Sequence, residues 1–391
     1  MNAISHRVGA ALDRARRGRG SPFRPGAFRA MPHHPRVATV IGRLLIAGFL
    51  LCLVTGLYSH YLQDPLPWQV FPTRPVWLYR VSHGLHVATG TALIPLLLAK
   101  LWTVYPRLFA WPPLTSLRHG LERASVALLV SSAVLQLFMG LLNTWKWYPW
   151  PFSFRTVHFW LAWVVVGALL IHVAVKLPLI VRYRRTGRPR RVRDPGTGWT
   201  RRGFLTAVGA TTAAVTVTTV GQAFTPLGPL ALLAPRQPGV GPQGLPVNRT
   251  AAQAAVTVPD DWRLEIVGAT PASFDLAALR AFPQHDADLP ISCVEGWSQS
   301  ARWSGVRVRD LLDAADAPPG AALRVVSLQT RGSYAVSHMT PEFTRDPLSL
   351  LALRLDGEVL HIEHGYPARI ITAARPGVLQ TKWVYRLEVL P

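Results

Sequence analysis

Cys293 is the residue in the C-terminal half of this chain whose chemistry stands out, and it lies in the sequence Pro-Ile-Ser-Cys-Val-Glu-Gly-Trp-Ser at 290–298. The chain has 2 cysteines, and the other, Cys52, lies in an apolar run, where it is most simply a small buried hydrophobic side chain. Cys293 therefore has no disulfide partner in its own half of the chain. A thiolate is a soft ligand that suits a heavy metal, so this cysteine fits a single protein-to-metal bond.

Histidines within apolar runs form the second group of interest, because ionisable side chains at membrane depth usually mark a functional site. His158 and His172 fall within ~40° of the same helix face and about 21 Å apart along its axis. Neutral imidazoles placed in this way suit two stacked haems. We expect the outer haem to be held by His86 and His158, which lie at a similar depth. An interfacial or hydrogen-bonded side chain is the preferred interpretation for the others: His60, His83 and His119.

The elements that position these residues follow from the hydrophobic pattern. Apolar stretches of about 20 residues can cross a bilayer as helices, and four occur early, at 37–61, 81–104, 124–145 and 157–181. The expected architecture is multi-domain: an all-α transmembrane four-helix haem bundle at 37–181, a fifth transmembrane helix at 204–224, a Pro/Gly-rich linker at 225–248 and an α+β domain at 249–391. Within that last domain, alternating segments predict strands at 263–267, 324–328, 334–337 and 383–390, and 304–315 predicts a turn into an amphipathic helix.

The arginines indicate the topology. A formal net charge of +22 would ordinarily suggest nucleic acid as a partner. Here the basic residues are concentrated at 1–36 and 182–203, which flank apolar runs as cytoplasmic loops do. We therefore expect no nucleic acid partner, but a multi-pass protein of the cell membrane with five helices, a cytoplasmic N-terminus and an extracytoplasmic C-terminal domain.

Arg201 and Arg202 precede Gly-Phe-Leu and a weakly apolar helix, which is the composition of a twin-arginine export signal. Export by that machinery implies that the following domain crosses the membrane already folded, usually after receiving a cofactor in the cytoplasm. The alternative is an ordinary fifth helix with basic flanks. No clean cleavage site follows, so a retained anchor is expected.

Residues 37–181 resemble the cytochrome b subunits of respiratory hydrogenases and formate dehydrogenases, on the evidence of the fourth-helix histidine pair and one second-helix histidine. The resemblance implies haem b. In that family the inner haem takes its other ligand from the cytoplasmic part of the first helix, which here, at 39–44, contains no histidine. His172 is thus left to pair with His34 or His119, or to carry no haem, and the expected number of haems is one or two.

Residues 246–391 resemble the molybdopterin domain of the sulfite oxidase superfamily, with the periplasmic methionine sulfoxide reductase catalytic subunit as the nearest branch. The matching segments are Cys-Val-Glu-Gly-Trp at 293–297, Trp-Ser-Gly-Val at 303–306, Asp-Gly-Glu at 356–358, His-Gly-Tyr-Pro-Ala-Arg at 364–369 and Gln-Thr-Lys-Trp at 380–383. The resemblance implies that Cys293 binds molybdenum beside the pterin dithiolene. It also implies that Arg369 and Lys382 bind the pterin phosphate and that Asn248 contacts the pterin.

Two departures bear on the substrate. Sulfite oxidases follow their cysteine with arginines that bind an anion, whereas Val294, Glu295 and Gly296 follow here, which argues against sulfite. Leu379 replaces a lysine that is common in the reductase branch, so the phosphate contacts are expected to differ. The candidates for lining the substrate pocket are Arg302, Arg331, Tyr334 and His338.

Together these features predict a membrane-bound molybdopterin-dependent oxidoreductase. Electrons would pass between membrane quinol and molybdenum through haem b, with reduction of a small oxidised substrate such as a sulfoxide favoured. The alternatives are an oxidase that feeds electrons to quinone, a membrane-tethered binding module without molybdenum, and a simple cytochrome that serves another protein.

Overall fold

The computed structural model describes residues 35–105, 116–185, 200–268 and 270–390. Five of its helices are long and apolar enough to cross a membrane. Their bounds are Pro35–Gln63 (α1), Leu78–Val104 (α2), Leu117–Thr144 (α3), Phe154–Arg185 (α4) and Arg201–Val220 (α5). The five predicted helices are therefore confirmed, while His33 and His34 lie outside the described residues.

All five long helices begin earlier than the hydrophobic pattern indicates, by two to seven residues. Helix α3 begins at Leu117 rather than 124, and α5 includes the arginine pair in its first turn. At the start of α5, the amide of Gly203 donates a hydrogen bond of 3.0 Å to Thr200 Oγ1. A threonine that accepts in this way satisfies one of the free amides of a first turn, so the helix begins within the polar flank.

The chain divides into two compact units. The first contains Met1–Leu50, Thr89–Leu142 and Tyr148–Val215, and the second contains Leu51–Ala88, Asn143–Trp147 and Thr216–Pro391. Within the first unit, polar side chains join pairs of helices. Lys100 Nζ of α2 donates a hydrogen bond of 2.6 Å to Ala38 O of α1, and Lys176 of α4 pairs with Glu122 of α3.

The second unit contains two five-stranded sheets. One has the order β2-β1-β10-β5-β6, in which β1 and β10 are parallel, and the other has the order β3-β4-β7-β8, with β9 paired to β7. The strands are Leu264–Val267 (β1), Ala272–Phe274 (β2), His285–Ser292 (β3), Ser298–Arg307 (β4), Ala322–Ser327 (β5), Val336–Met339 (β6), Leu350–Leu355 (β7), Glu358–Val359 (β8), Arg369–Ile371 (β9) and Val384–Leu390 (β10). Four short helices accompany them: Ala251–Ala254 (α6), Leu276–Ala281 (α7), Val308–Ala314 (α8) and Pro341–Thr344 (α9).

The strand predictions were right near 264, 324 and 384, but the turn predicted at 304 is wrong. That segment continues β4 to Arg307, and only then does α8 begin. The reason is Gly305, which lies so close to the neighbouring strand β7 that a Cβ there would be 2.1 Å from Leu351 O. A glycine in this position marks a close backbone approach rather than a turn.

The segment predicted as a linker packs into the second unit. It contains short 3₁₀ turns at Thr225–Leu230 and Pro242–Gly244. Leu245 is 1% exposed and belongs to the same apolar cluster as Leu289, Cys293 and Trp303. The last residues of this segment therefore help to form the core that surrounds Cys293.

Candidate functional site

Cys293 lies in a five-residue loop, Cys293–Trp297, that connects β3 to β4. The two strands pair up to Ser292 and Ser298, whose hydroxyl oxygens are 2.7 Å apart. Within the loop, the Cys293 amide donates to Trp297 O at 2.9 Å, and the Gly296 amide donates to Cys293 O at 3.0 Å. These bonds fix the backbone on both sides of the thiol.

Gly296 allows the loop to close so tightly. Its φ is +98°, a value that only glycine adopts without strain. Its backbone also packs against α2, since a Cβ at this position would be 2.9 Å from Cγ1 of Val87. The Gly in the Cys-Val-Glu-Gly-Trp motif therefore has a structural role in addition to its value as a family signature.

The Cys293 thiol faces a cleft that encloses about 670 Å³ of space, part of it open to solvent. Asn248, Arg369 and Lys382 line the same cleft, so the structure brings together all the residues that the sequence assigned to the molybdenum and pterin site. They come from distant segments: Asn248 precedes α6, Arg369 begins β9 and Lys382 precedes β10.

The two cations of the cleft are held by backbone carbonyls. Arg369, which is 2% exposed, donates to His364 O at 3.0 Å and to Gln380 O at 3.1 Å. Lys382 Nζ donates to Arg249 O at 2.6 Å and to Glu363 O at 3.0 Å. An ammonium has three donors and a guanidinium five, so both retain donors for an anion.

The charge state of these cations follows from their surroundings. Burial lowers the pKa of Arg369 to about 9. Burial, followed by the nearby Arg369 charge, lowers the pKa of Lys382 to about 7. Both environments therefore disfavour the charged form, and a bound anion would reverse that effect because an opposite charge raises the pKa of a base.

Spare hydrogen-bonding atoms in the cleft test whether a large polar group fits there. Among the described residues that line it, four buried atoms have no hydrogen-bond partner: Arg249 Nε, Gln329 Nε2, Arg369 Nε and Gln380 Oε1. A native protein rarely leaves such groups unpaired. Three donors and one acceptor beside two cations match a phosphate-bearing heterocycle, so the residues fit molybdopterin.

Cys293 itself is 2% exposed. Burial, with a smaller effect from the Glu295 carboxylate, raises the pKa of its thiol above the ordinary value. The protein alone therefore keeps Cys293 protonated, and binding a metal would displace the proton. No group of three or more His, Cys, Asp or Glu residues that could hold a metal occurs in the described part of the chain.

Several residues of the cleft were not chosen from the sequence, including Arg249, Gln329 and His364. His364 Nε2 donates to Pro242 O at 2.6 Å, and burial lowers its pKa to about 4, so the ring is neutral at pH 7. The motif at 364–369 was a signal for His364. Arg249 and Gln329 had no such signal, because tertiary packing alone brings them to the cleft.

Of the four residues predicted to line a substrate pocket, the structure places Tyr334 on the cleft. Arg302 is exposed on β4 and forms an ion pair of 2.6 Å with Asp286. Arg331 and His338 are also exposed and do not line the cleft. These three residues are therefore not brought together with Cys293, and a role for them in binding substrate stays a prediction.

His86 of α2 has the surroundings of an axial haem ligand. Its Nδ1 lies 3.0 Å from Cys52 O and 3.2 Å from Thr55 Oγ1, both on α1. A ligand histidine commonly donates its second ring N–H to a carbonyl in this way. A Cβ at Gly56 would be 3.0 Å from the His86 ring, so this glycine makes room for the imidazole.

His158 of α4 belongs to the first unit and has a different environment. The Gln136 amide nitrogen lies 3.1 Å from His158 Nε2 and also donates to His158 O at 3.1 Å. Ligation through Nε2 would require this amide to move. His86 belongs to the second unit, so its pairing with His158 stays a prediction. His172 on α4 lies within electrostatic reach of Lys100, Lys176 and Glu122, and its partner also stays open.

His83, expected to be interfacial or hydrogen-bonded, is instead buried at 7% exposure. Its ring stacks on Tyr79 at 5.4 Å and on His86 at 6.2 Å between centroids. Its nitrogens make no hydrogen bond of normal geometry within the described residues, and the backbone of Val294 is the polar group that acts on them. The second unit therefore contains a row of three stacked rings that reaches the Cys293–Trp297 loop.

Comparison with known proteins supports the assignment of the cleft. The family described as "Oxidoreductase molybdopterin binding domain" matches residues 251–391. The chain is similar to the protein-methionine-sulfoxide reductase catalytic subunit MsrP of Gluconobacter oxydans, with 29% identity over 36% of this chain and 50% of that protein. It is also similar to the uncharacterized oxidoreductase YuiH of Bacillus subtilis, with 32% identity over 28% of this chain and 54% of that protein. Mitochondrial sulfite oxidase of Rattus norvegicus is 27% identical over 34% of this chain and 29% of its own length.

The family match covers the part of the chain that contains Cys293, and the chain spans about half the length of the first two relatives. The C-terminal part therefore matches a molybdopterin-binding oxidoreductase domain, as the motif at 293–297 predicted, and it is similar to proteins of the sulfite oxidase type. The chain carries this domain after five helices that are long and apolar enough to span a membrane.

Proposed function

We propose that this sulfite oxidase-type enzyme is membrane-bound and passes electrons from membrane quinol through haem b to molybdenum held by Cys293, reducing a small oxidised substrate such as a sulfoxide. When bound at Cys293, the molybdenum cofactor would supply the chemistry of oxygen-atom transfer. The chain supplies the thiol ligand, the donors for the pterin and the walls of the cleft.

The observation that carries the proposal is the convergence of Cys293 with spare donors in one cleft. The thiol, one buried and one partly buried cation, and four buried unpaired polar atoms line the same space. Each has a plain structural explanation by itself. Their coincidence within the residues that match a molybdopterin-binding family favours one bound group that satisfies them together.

The source of electrons is argued from α2. Tyr79, His83 and His86 form a stacked row on this helix, with interplanar angles of 9° and 16°. The row runs from the haem ligand proposed above, His86, to the segment beside Cys293. Tunnelling through packed rings is faster than through empty space, so this row supports electron delivery from a haem to the metal loop.

The direction of the reaction is argued from analogy. One relative is named for the reduction of protein methionine sulfoxide, and Val294, Glu295 and Gly296 follow the cysteine where sulfite oxidases have arginines. Reduction of a sulfoxide is therefore proposed in preference to oxidation of sulfite.

The proposed topology follows from the same scheme. The basic segments would lie in the cytoplasm, α5 would be retained as an anchor, and the molybdopterin domain would lie outside. A cofactor that is inserted in the cytoplasm requires export of the folded domain, which is the task of the twin-arginine machinery. Cysteine labelling at an exposed residue of the domain in intact cells tests this orientation.

Metal, pterin and haem analysis of the wild type beside Cys293→Ser tests the function. We expect the wild type to contain molybdenum and haem. The serine variant should lose turnover while it retains haem, because Cys293 is not one of the proposed haem ligands, His86 and His158. Equal turnover of the two proteins would contradict the site assignment.

A redox assay separates the remaining candidates. Quinol-dependent reduction of sulfoxides supports the proposed direction, whereas reduction of quinone by an oxidisable substrate indicates the oxidase alternative. Haem without molybdenum or pterin in the wild type would favour the simple cytochrome. The absence of all three groups would favour a binding module.

A further inference from the structure

The Cys293–Trp297 loop is held by residues from three segments that lie far from it in sequence. These segments are the part of α2 up to Ala88, the segment Asn143–Trp147 that includes the last two residues of α3, and the Pro/Gly-rich segment that contains Arg236. All belong to the second compact unit. None was connected with the metal site by the sequence motifs, so their contacts add a function to residues that the proposed chemistry does not use.

The central contact is a buried ion cluster on Glu295. Its side chain is 4% exposed, and Lys146 Nζ lies 3.5 Å from Oε1 while Arg236 Nε lies 3.8 Å from Oε2. The indole of Trp297 donates to the same carboxylate at 3.4 Å. A buried carboxylate is costly to maintain unless it is paired, and buried pairs contribute to specificity of position more readily than to stability.

Backbone contacts reinforce the cluster on the same loop. Asn143 Nδ2 donates a hydrogen bond of 2.9 Å to Val294 O, and Asn143 is 8% exposed. Gly296 packs against Val87 of α2. Every residue of the loop between Cys293 and Trp297 is therefore in contact with an element outside the domain that matches the molybdopterin family.

The alternative is that these contacts have a purely structural role and only hold one part of the second unit against another. The location of the contacts argues against this alternative. They converge on the three residues between the thiol and Trp297, and the loop hydrogen bonds of Cys293 are made to Gly296 and Trp297. A shift of Glu295 would therefore move the backbone that orients the sulfur.

We propose that Glu295, held by Lys146 and Arg236, is a positioning residue that sets the geometry of the Cys293 ligand from outside the molybdopterin-binding domain. This inference rests on the proposed metal site at Cys293. The segment at 143–147 then helps to support the metal site, so that the position of the Cys293 sulfur depends on the C-terminal end of α3 and the residues after it. No bond is made or broken in this role.

The first experiment needs no cofactor. Hydrogen–deuterium exchange is measured on the full chain, purified in detergent from cells that cannot make molybdopterin. Lys146→Met should accelerate exchange of the amides at 293–297, because Glu295 loses the cation near Oε1, and Lys146→Arg should restore protection. Arg263→Met is the matched control, since it removes a cation from the exposed pair with Asp275 and should leave exchange at 293–297 unchanged.

The second experiment examines the loaded protein. Lys146→Met should alter the line shape of the molybdenum(V) electron paramagnetic resonance signal, which depends on the orientation of the sulfur ligand, or should lose molybdenum outright. Arg263→Met should do neither. Wild-type exchange rates at 293–297 in Lys146→Met, or an equal change in Arg263→Met, would overturn the positioning role. A wild type without molybdenum would instead contradict the proposed function and leave the exchange result to stand by itself.

Discussion

The cleft around Cys293 and the histidines of the long helices are two regions with buried ligand-type side chains, but they treat those side chains differently. In the cleft, several polar atoms have no partner within the described residues, including Arg369 Nε and Gln380 Oε1. In the helices, His86 Nδ1 lies 3.0 Å from Cys52 O, and His158 Nε2 lies 3.1 Å from the Gln136 amide. The first region is preorganised for a large polar group, while the second needs one side chain, Gln136, to move.

This difference indicates how strongly the fold favours binding of a group at each site. Buried unpaired donors are costly, so the cleft gains free energy when a group satisfies them. A histidine that is already hydrogen-bonded gains less free energy when it binds a metal, because it exchanges one partner for another. We therefore expect molybdopterin binding to stabilise the second unit substantially, and haem binding to depend on a few contacts to the ring.

The largest predicted effect separates the two regions. His86→Ala should abolish haem absorbance while molybdenum content stays at the wild-type level. Cys293→Ser should abolish molybdenum content while haem absorbance stays at the wild-type level. The physical reason is that each change removes one ligand atom and leaves the other region intact. Absorbance spectra and metal analysis of both variants provide the measurement.

A matched control for His86→Ala is His60→Ala, since His60 also lies on a long helix, near the end of α1, and makes a ring contact with Tyr61 at 5.4 Å. It should retain haem. Loss of haem from both variants would show that the helices respond to any histidine deletion, and the comparison of the two regions would fail.

The sequence predicted the cleft better than the strands around it. Cys293, Asn248, Arg369 and Lys382 all lie on the cleft, because a family motif records the residues that contact a shared cofactor. Strand β3 was not predicted, since it contains two aspartates and Pro290. It pairs only with β4, and an edge position tolerates a proline that cannot donate to the ladder.

Long-range partners were beyond the reach of the sequence. Arg236 lies in a segment whose prolines and glycines predicted a linker, and Lys146 lies beside interfacial aromatic residues at the end of an apolar run. Both approach Glu295 within 4 Å, although about 60 and 150 residues separate them from it. No periodicity or local motif records such a contact, because only the folded chain brings the groups together.

The next prediction concerns the charge of the cleft. The pKa of Lys382 is lowered to about 7 by burial and then by Arg369, whereas an unfolded lysine titrates near about 10.4. Between these values the unfolded state binds more protons, so the stability of the cofactor-free protein should rise with pH, by at most about 1.4 kcal/mol per pH unit. Melting temperatures from pH 7 to 10 test this expectation.

Lys382→Met should flatten that pH dependence, because the titrating group is gone. Loading the wild type with cofactor should flatten it as well, since the pterin phosphate would raise the pKa of Lys382 and keep it charged throughout the range. If melting temperature depended on pH equally in the wild type and in Lys382→Met, the pKa of Lys382 would not be lowered in the folded protein. The cleft would then not differ from the helices in this respect.

The smallest predicted effect lies where the metal loop touches α2. Gly296→Ala places a methyl group 2.9 Å from Val87 Cγ1 at a φ of +98°, whereas Gly320→Ala imposes a positive φ of +80° with no atom within 4 Å. The difference between the two variants therefore isolates the contact, which we expect to cost about 1 kcal/mol through overpacking. Melting temperatures of the detergent-solubilised variants measure this cost.

Adding Val87→Ala to Gly296→Ala should recover the stability lost through the contact, because the effects of neighbouring substitutions that share a contact are not additive. If the effects of the two substitutions on stability were strictly additive, Gly296 and Val87 would not be in contact, and the loop at 293–297 would not pack against α2.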